Sequence, residues 1–313
     1  MKLKLILKDD NLETLPYFSG LKSVQQLYHN HFDISSNVND DGIVYADYRH
    51  YEWAKSLNRP AVIDHTWDPW CDLEIQDTYN LRVIRSDGWF CIANECLWYK
   101  ELGYDSYTRN SSPNKTFLMP MNRKKPHRDR IWNELTYSSN NLLEHALYSY
   151  NEIGAQLPDD INSELGDWQR YINPKWFDST MYSVVVESDI DIGHSEKVLK
   201  PCAFKHPFVV WARPGYLEWL RTWGFNTFNN IIDESYDSEP DHERRLTMLI
   251  EQIAFLNKQD PSYFTDPETL ERLEHNYNRF YDVEWAEQQF ENNLFNTIKK
   301  LRVWQMAERR RNA

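Results

Sequence analysis

The stretch Met181–Gly224 reads MYSVVVESDIDIGHSEKVLKPCAFKHPFVVWARPGYLEWLRTWG, and it decides the fold. Tyr182 to Val186 is a short, mostly apolar, β-branched run, the pattern of a strand buried on both faces. Ser195 stands where a helix N-cap belongs, before Glu196, Lys197 and the apolar sequence Val198, Leu199, Ala203, Phe204. A second buried strand is expected over Pro207 to Ala212, and Pro214-Gly215 punctuates the entry to a further helix, Tyr216 to Trp223. Strand, helix, strand is a βαβ unit. In open parallel sheets, ligands sit at the carboxyl ends of the strands, where helix N-termini offer free N–H groups to phosphate. Glu196 and Lys197 therefore stand where a nucleotide would be held.

Working outward, the same alternation extends in both directions. Leu3 to Leu7, Gly42 to Ala46, Ala61 to Ile63, Leu81 to Ile84 and Phe90 to Ala93 read as strands. Tyr48 to Leu57 reads as a helix, and Trp98 to Leu102 as a helical turn stopped by Gly103. Arg109-Asn-Ser-Ser-Pro-Asn-Lys115 is polar and turn-forming and reads as a linker. Beyond it come a strand at Thr116 to Met121, a basic loop at Asn122-Arg-Lys-Lys-Pro-His-Arg128 and a helix from about Pro126 to Tyr137, with proline at an early position. Residues 138–180 carry no clear period. Helices follow over Glu243 to Lys258, Pro267 to Tyr281 and Val283 to Arg311. The expectation is an α/β protein of two domains with C-terminal helices. The boundaries fall at 1–112, 113–281 and a tail, 282–313, that packs back on the domains.

Composition narrows the function. A chain of 313 residues with 41% hydrophobic and 15% aromatic content is globular, since disordered chains are poor in aromatics. A formal net charge of −13 counts against sequence-independent duplex binding, which depends on Lys and Arg neutralising phosphates. No apolar run is long enough to span a bilayer. MKLKLILKDD turns acidic too soon for a signal peptide, so the expected location is cytoplasmic. Cys71, Cys91, Cys96 and Cys202 show neither a C-x-x-C pair nor zinc spacing and read as reduced thiols. The sequons at Asn110 and Asn114 read as chance.

Several residues invite chemistry. Cations in the 122–128 loop, at a strand end and a helix start, oppose the helix dipole. An anionic ligand would relieve that conflict, because charge-assisted bonds from Arg to phosphate are strong and directional. Glu196 is either a first-turn carboxylate complementing the dipole or an acceptor for ribose hydroxyls. Lys197 is either a surface lysine or a point charge over a diphosphate. Asp189-x-Asp191 has the spacing of a Mg²⁺ or Mn²⁺ site bridging diphosphate oxygens, or is a solvated loop. Asp64, His65, Asp68 and Asp72, among Trp67 and Trp70, offer a general base beside sugar-stacking rings, or a capped turn.

Val186-Glu-Ser-Asp through Ser195-Glu-Lys-Val-Leu-Lys-Pro to His206-Pro-Phe-Val-Val resembles the donor-binding motif of the α-1,3-fucosyltransferase family, roughly F-E-N-S, T-E-K, a helix and V-P-V. Ser188-Asp189 stands where that motif has N-S. Phe117 to Asn122 with Arg128, Ile131 and Leu135 is similar to the same family's strand, turn, Arg and helix. Met121-Asn-Arg-Lys-Lys-Pro-His-Arg128 also resembles a turn in phage and bacterial surface-glycan glycosyltransferases. The similarity covers residues 116 to about 240. The resemblance implies a GT-B architecture, two Rossmann-like domains facing a cleft, with the C-terminal one holding a nucleotide-sugar such as a UDP- or GDP-sugar. It implies donor contacts from Asn122, Arg123, Arg128, Ser195, Glu196 and Lys197. Of these, Arg128 and Lys197 would reach the diphosphate and Glu196 the ribose, with no metal or other cofactor. The general base would lie in an N-terminal acidic loop, with Asp64 or Asp68 the candidate by position. The acceptor would be a saccharide or a hydroxymethylated base of phage DNA, and the enzyme a hexosyl- or pentosyltransferase. Two alternatives stand beside it: a catalytically silent nucleotide- or sugar-binding protein, and a metal-dependent transferase using Asp189 and Asp191.

Overall fold

The computed structural model describes residues 2–8, 22–47, 50–65, 78, 80–85, 88–137, 141–157, 172–191 and 195–311. The chain divides into two compact units, Met1–Glu101 with Asp282–Ala313, and Leu102–Tyr281.

The first unit is built on a parallel sheet of β1 (Leu3–Ile6), β2 (Phe32–Ser35), β3 (Ile43–Asp47), β4 (Ala61–His65) and β5 (Leu81–Arg85), in the order β2-β1-β3-β4-β5. Helices α1 (Lys22–His31), α2 (Tyr51–Ser56) and α3 (Trp89–Glu101) accompany the strands. Ile6, Val44, Ala46, Ala54, Ala61, Ile63 and Leu81 form one apolar core, with Ala54 joining α2 to the sheet. Gly42 is required where β3 begins, because a Cβ there would stand 2.6 Å from the Lys4 carbonyl oxygen.

Phe90 to Ala93, expected as a strand, lies inside α3. Trp89, Phe90, Ile92, Ala93, Cys96, Leu97, Trp98 and Tyr99 are all buried, as are the polar Asn94 and Glu95, so the helix is buried on every side. It leaves no 3.6-residue period to tell it from a buried strand. The helix expected over Val283 to Arg311 divides into Val283–Gln289, a π-helical turn at Phe290–Phe295 and Asn296–Arg311. The turn sends Phe290 against Trp89 and Phe90, and Phe295 against Tyr28 and Phe32, with ring centroids 5.2–5.7 Å apart. Edge-on pairs of this kind contribute about 0.5–1.5 kcal/mol each beyond the area they bury.

The second unit carries a parallel sheet of β6 (Lys115–Met121), β7 (Leu147–Tyr150), β8 (Thr180–Val186) and β9 (Phe208–Trp211), ordered β7-β6-β8-β9. With α4 (Pro126–Tyr137), the helical turn α5 (Lys175–Asp178), α6 (Leu199–Ala203), α7 (Tyr216–Thr222), α8 (His242–Leu256) and α9 (Pro267–Phe280), it is an α/β layer. β7, in the stretch without a sequence period, is a four-residue edge strand. Asp241 and Asp266 cap α8 and α9, accepting from Arg244 N and from Glu268 N and Thr269 N. The stretch 109–115 is bound to this unit rather than swinging free. Arg109 donates to the carbonyls of Lys205 (2.8 Å) and Thr180 (3.1 Å), and Ser112 N to Asp178 O (2.9 Å).

Candidate functional site

β8 delivers its apolar residues to the core and leads into Glu187 and Ser188, and the polar network of the second unit starts from these two. The Glu187 side chain is buried, 1% exposed, and accepts from Tyr216 Oη at 2.6 Å, Ser188 N at 3.0 Å and the Ser195 hydroxyl. Its backbone carbonyl meets His127 Nε2 at 3.0 Å and Arg128 Nη2 at 3.4 Å. Ser188 accepts on its carbonyl from Lys125 Nζ (2.6 Å) and on its hydroxyl from Lys197 Nζ (2.8 Å). The turn after β6 and the turn before α6, nearly seventy residues apart in sequence, are thus tied to the same two residues.

A cavity of about 230 Å³ opens here. Asn122, Arg123, Lys125, Arg128, Lys197 and Lys200 bring cations and amides to it, and Leu118, Trp176, Phe177 and Val185 give it an apolar part. Among the described lining residues five are cationic and one, Glu196, is a carboxylate, in a chain whose formal net charge is −13. The electrostatics are unfavourable without a ligand. Arg128 is 4% exposed; burial pulls its pKa down, opposed first by Glu187 and Glu196 and then by Tyr150. Its Nη1 donates to Arg123 O at 3.0 Å, while its buried Nε has no partner. Lys125 is pulled down by burial and then by the nearby Arg128, Lys197 and Arg123, with Asp189 opposing. Burial likewise lowers His127. Burial would raise Glu196, but Lys197 (3.1 Å away) and Lys200 outweigh it and hold the carboxyl at about 2. A buried guanidinium Nε–H without an acceptor, beside mutually repelling ammonium groups, is an arrangement that an anion with several oxygens would suit.

Of the residues expected from the sequence, Asn122, Arg123, Arg128, Glu196 and Lys197 line this one cavity. Ser195 stands behind it. Its backbone is extended at the head of a 3-10 turn, Glu196–Val198, but its side chain makes no cap bond. The hydroxyl donates to Glu187 instead and accepts from Lys197 Nζ at 3.2 Å. A carboxylate acceptor competes better for a hydroxyl proton than a turn of three residues does for its oxygen. Asp64 is the fourth residue of β4, in the first unit; Asp68 lies outside the described residues. Asp189 Oδ1 accepts from Asp191 N at 2.8 Å, and Asp191 faces His242 Nε2 at 3.3 Å. Among the described residues no group of three or more His, Cys, Asp or Glu is placed to hold a metal ion.

Tyr216 escaped sequence reasoning, and Glu187 and Lys200 entered it only inside the motif strings Val186-Glu-Ser-Asp and Ser195-Glu-Lys-Val-Leu-Lys-Pro, with no role assigned. Beside its motif string, a signal for Glu187 was a carboxylate directly after the buried run Val184-Val185-Val186, a costly place for a charge unless donors surround it. The donors come from Tyr216 and Ser195, which no local pattern links to it.

Among the described residues no helix is long and apolar enough to cross a membrane. No protein-family model and no curated protein matches the chain. Solved structures do resemble it. An α1,3-fucosyltransferase with GDP superposes with a TM-score of 0.50 at 11% identity, over 94% of this chain and 92% of that one. An α1,3-fucosyltransferase with GDP-fucose gives a TM-score of 0.48 at 11% identity, over 94% and 91%. At this identity the likeness is one of fold: the chain has the two-sheet α/β fold of the GT-B type.

Proposed function

We propose that this protein is a glycosyltransferase that takes its sugar from a nucleoside-diphosphate donor. The observation that carries the reading is the meeting of Arg128, with its unpartnered Nε, and Lys197 on one cavity otherwise short of negative charge. The likeness of fold to an α1,3-fucosyltransferase that binds GDP supports a nucleoside diphosphate over other polyanions.

In this reading Arg128 and Lys197 hold the diphosphate, Asn122 and Arg123 close its rim, and Glu196 accepts from the ribose hydroxyls. Glu196 is suited to that task because its neighbours keep it ionised at any physiological pH. The apolar walls at Trp176, Phe177 and Val185 suit a nucleobase. The acceptor oxygen attacks the anomeric carbon as the bond from that carbon to the diphosphate oxygen breaks. The acceptor's proton passes to a carboxylate, for which Asp64 at the end of β4 is the candidate. Charge grows on the departing diphosphate, and fixed cations in a desolvated pocket act most strongly on developing charge. No step requires a metal ion. We take the acceptor to be a saccharide hydroxyl rather than a DNA base, because a net charge of −13 repels duplex phosphates.

A thermal-shift screen across nucleoside diphosphates tests the reading, since a ligand that binds only the folded chain raises its melting temperature. GDP or UDP is expected to stabilise at micromolar to millimolar concentration, and hydrolysis of the matching nucleotide-sugar to follow. A melting temperature unmoved by every nucleotide sinks the proposal. Binding without any turnover would leave a silent binding protein, and activity abolished by EDTA would favour the metal-dependent alternative through Asp189 and Asp191.

A further inference from the structure

We infer that Glu187 is the positioning residue of this site: it acts without touching the donor, by registering Lys197 and Arg128 against each other. The inference rests on the nucleotide-binding reading above and adds to it the residue that makes the two turns act together.

The geometry is specific. A buried carboxylate is costly unless several donors surround it, and Glu187 has three, on two oxygens: Tyr216 on Oε1, Ser188 N and Ser195 on Oε2. Two of these fix hydroxyl groups that in turn hold Lys197. Ser195 gives its proton to Glu187, so its oxygen is left as an acceptor for Lys197 Nζ at 3.2 Å. Ser188, whose N–H is held by the same oxygen, turns its hydroxyl to Lys197 Nζ at 2.8 Å. A lysine on four rotatable bonds is a poor point charge until something fixes it; here Glu196 does so directly at 3.1 Å and Glu187 through two relays. The backbone carbonyl of the same residue receives His127 and Arg128 from the other turn, and its negative charge is the largest influence opposing the loss of Arg128's proton by burial. Tyr216, fully buried at the start of α7, locks the carboxylate from the far side.

Glu187 has no place on the cavity lining, so a direct contact does not explain its arrangement. A structural carboxylate and a positioning one also differ in what they predict. If Glu187 only supports the fold, its replacement weakens binding by the same factor whether or not Lys197 is present. If it acts through Lys197, its replacement matters much less once Lys197 is gone.

The test is a double-mutant cycle read by calorimetric titration of GDP and of UDP. Its corners are wild type, Glu187→Gln, Lys197→Met and the pair. Glutamine keeps size but offers one acceptor where the carboxylate offers two oxygens. In the wild-type background Glu187→Gln is expected to weaken nucleotide binding about tenfold, and in the Lys197→Met background less than about twofold. The same cycle run with Ser195→Ala, which leaves the buried carboxylate intact and guards against a Glu187 variant that does not fold, is expected to show the same non-additivity. Equal losses in both backgrounds for every folded variant overturn the inference while leaving the nucleotide reading in place. A wild-type protein that binds neither GDP nor UDP removes the reading, and the inference falls with it.

Discussion

In the first unit β4 runs through Asp64 and His65 toward Thr66-Trp67-Asp68-Pro69-Trp70, an acidic and aromatic sequence, whereas in the second unit β6 runs into Asn122-Arg123-Lys124-Lys125 and β8 into a pair of residues that gather Lys125, Arg128 and Lys197. Both units are parallel α/β sheets. The sheets make similar frames, and the sequences that follow β4 and β6 carry opposite charge. Chemistry in such folds is written in the loops at the carboxyl ends of strands, and the frame itself is silent about it. The transferase proposed above would need this division. One side must take a proton from a nucleophile, and the other must accept the negative charge of a leaving group.

The largest expected effect breaks the acidic side alone. Asp64→Asn should lower kcat by about 10²–10⁴-fold, the range for losing a general base, while the Kd for a nucleoside diphosphate measured by titration stays within about twofold. A variant with normal turnover removes Asp64 from the mechanism and leaves the basic side untouched. On that basic side, Arg128→Ala and Lys197→Ala should each cost about 2–4 kcal/mol in kcat/KM, by analogy with removing one oxyanion donor. They should weaken nucleotide binding as well, which Asp64→Asn should not. Steady-state kinetics together with calorimetry separate the two signatures, and near-normal turnover in both cation variants would sink the assignment of the cavity.

A smaller effect concerns stability rather than rate. The folded pKa of Glu196 is about 2, against an ordinary value of 4.5. A carboxyl whose pKa falls on folding adds stability that is fully present above the unfolded value. That stability is lost as pH drops toward the folded one, here between about pH 4.5 and 2. The difference corresponds to roughly 3 kcal/mol. Urea melts of wild type and Glu196→Gln across that window should converge as pH falls, with wild type losing stability faster. Parallel curves would show that Lys197 and Lys200 do not hold Glu196 ionised.

How much of this was legible beforehand depended on whether the signal was local. The two basic turns were readable because each is a contiguous string, Asn122 to Arg128 and Ser195 to Lys197, placed after a recognisable strand. α3 was not, because burial on all sides erased its period, so Phe90 to Ala93 passed for a strand. β7 was not, because Leu147-Tyr-Ser-Tyr150 is too short for alternation to register. The cap expected at Ser195 is not made: its position is that of a cap, yet its hydroxyl belongs to Glu187. Glu187 itself depends on Tyr216, 29 residues later, and no pattern within one element announces that pairing. Non-local polar contacts are where a single sequence is least informative.

The smallest prediction marks where the comparison stops. Arg302, on the helix Asn296–Arg311, faces both carboxylate oxygens of Asp41, at 3.0 Å from Nη1 and 2.6 Å from Nη2, and both residues belong to the first unit. Asp41 is 57% exposed on its side chain, so solvent screens the pair and its worth is held to about 0–1 kcal/mol despite the two-point geometry. Arg302→Ala should lower the urea midpoint slightly, the more so at low salt, because an exposed pair is screened within about 10 Å at 0.1 M. Nucleotide affinity should not move, because the cationic residues lining the cavity all lie on the second unit. A measurable loss of GDP or UDP binding in this variant would mean that the electrostatics of the two units are not separable, and the contrast drawn between them would have to be given up.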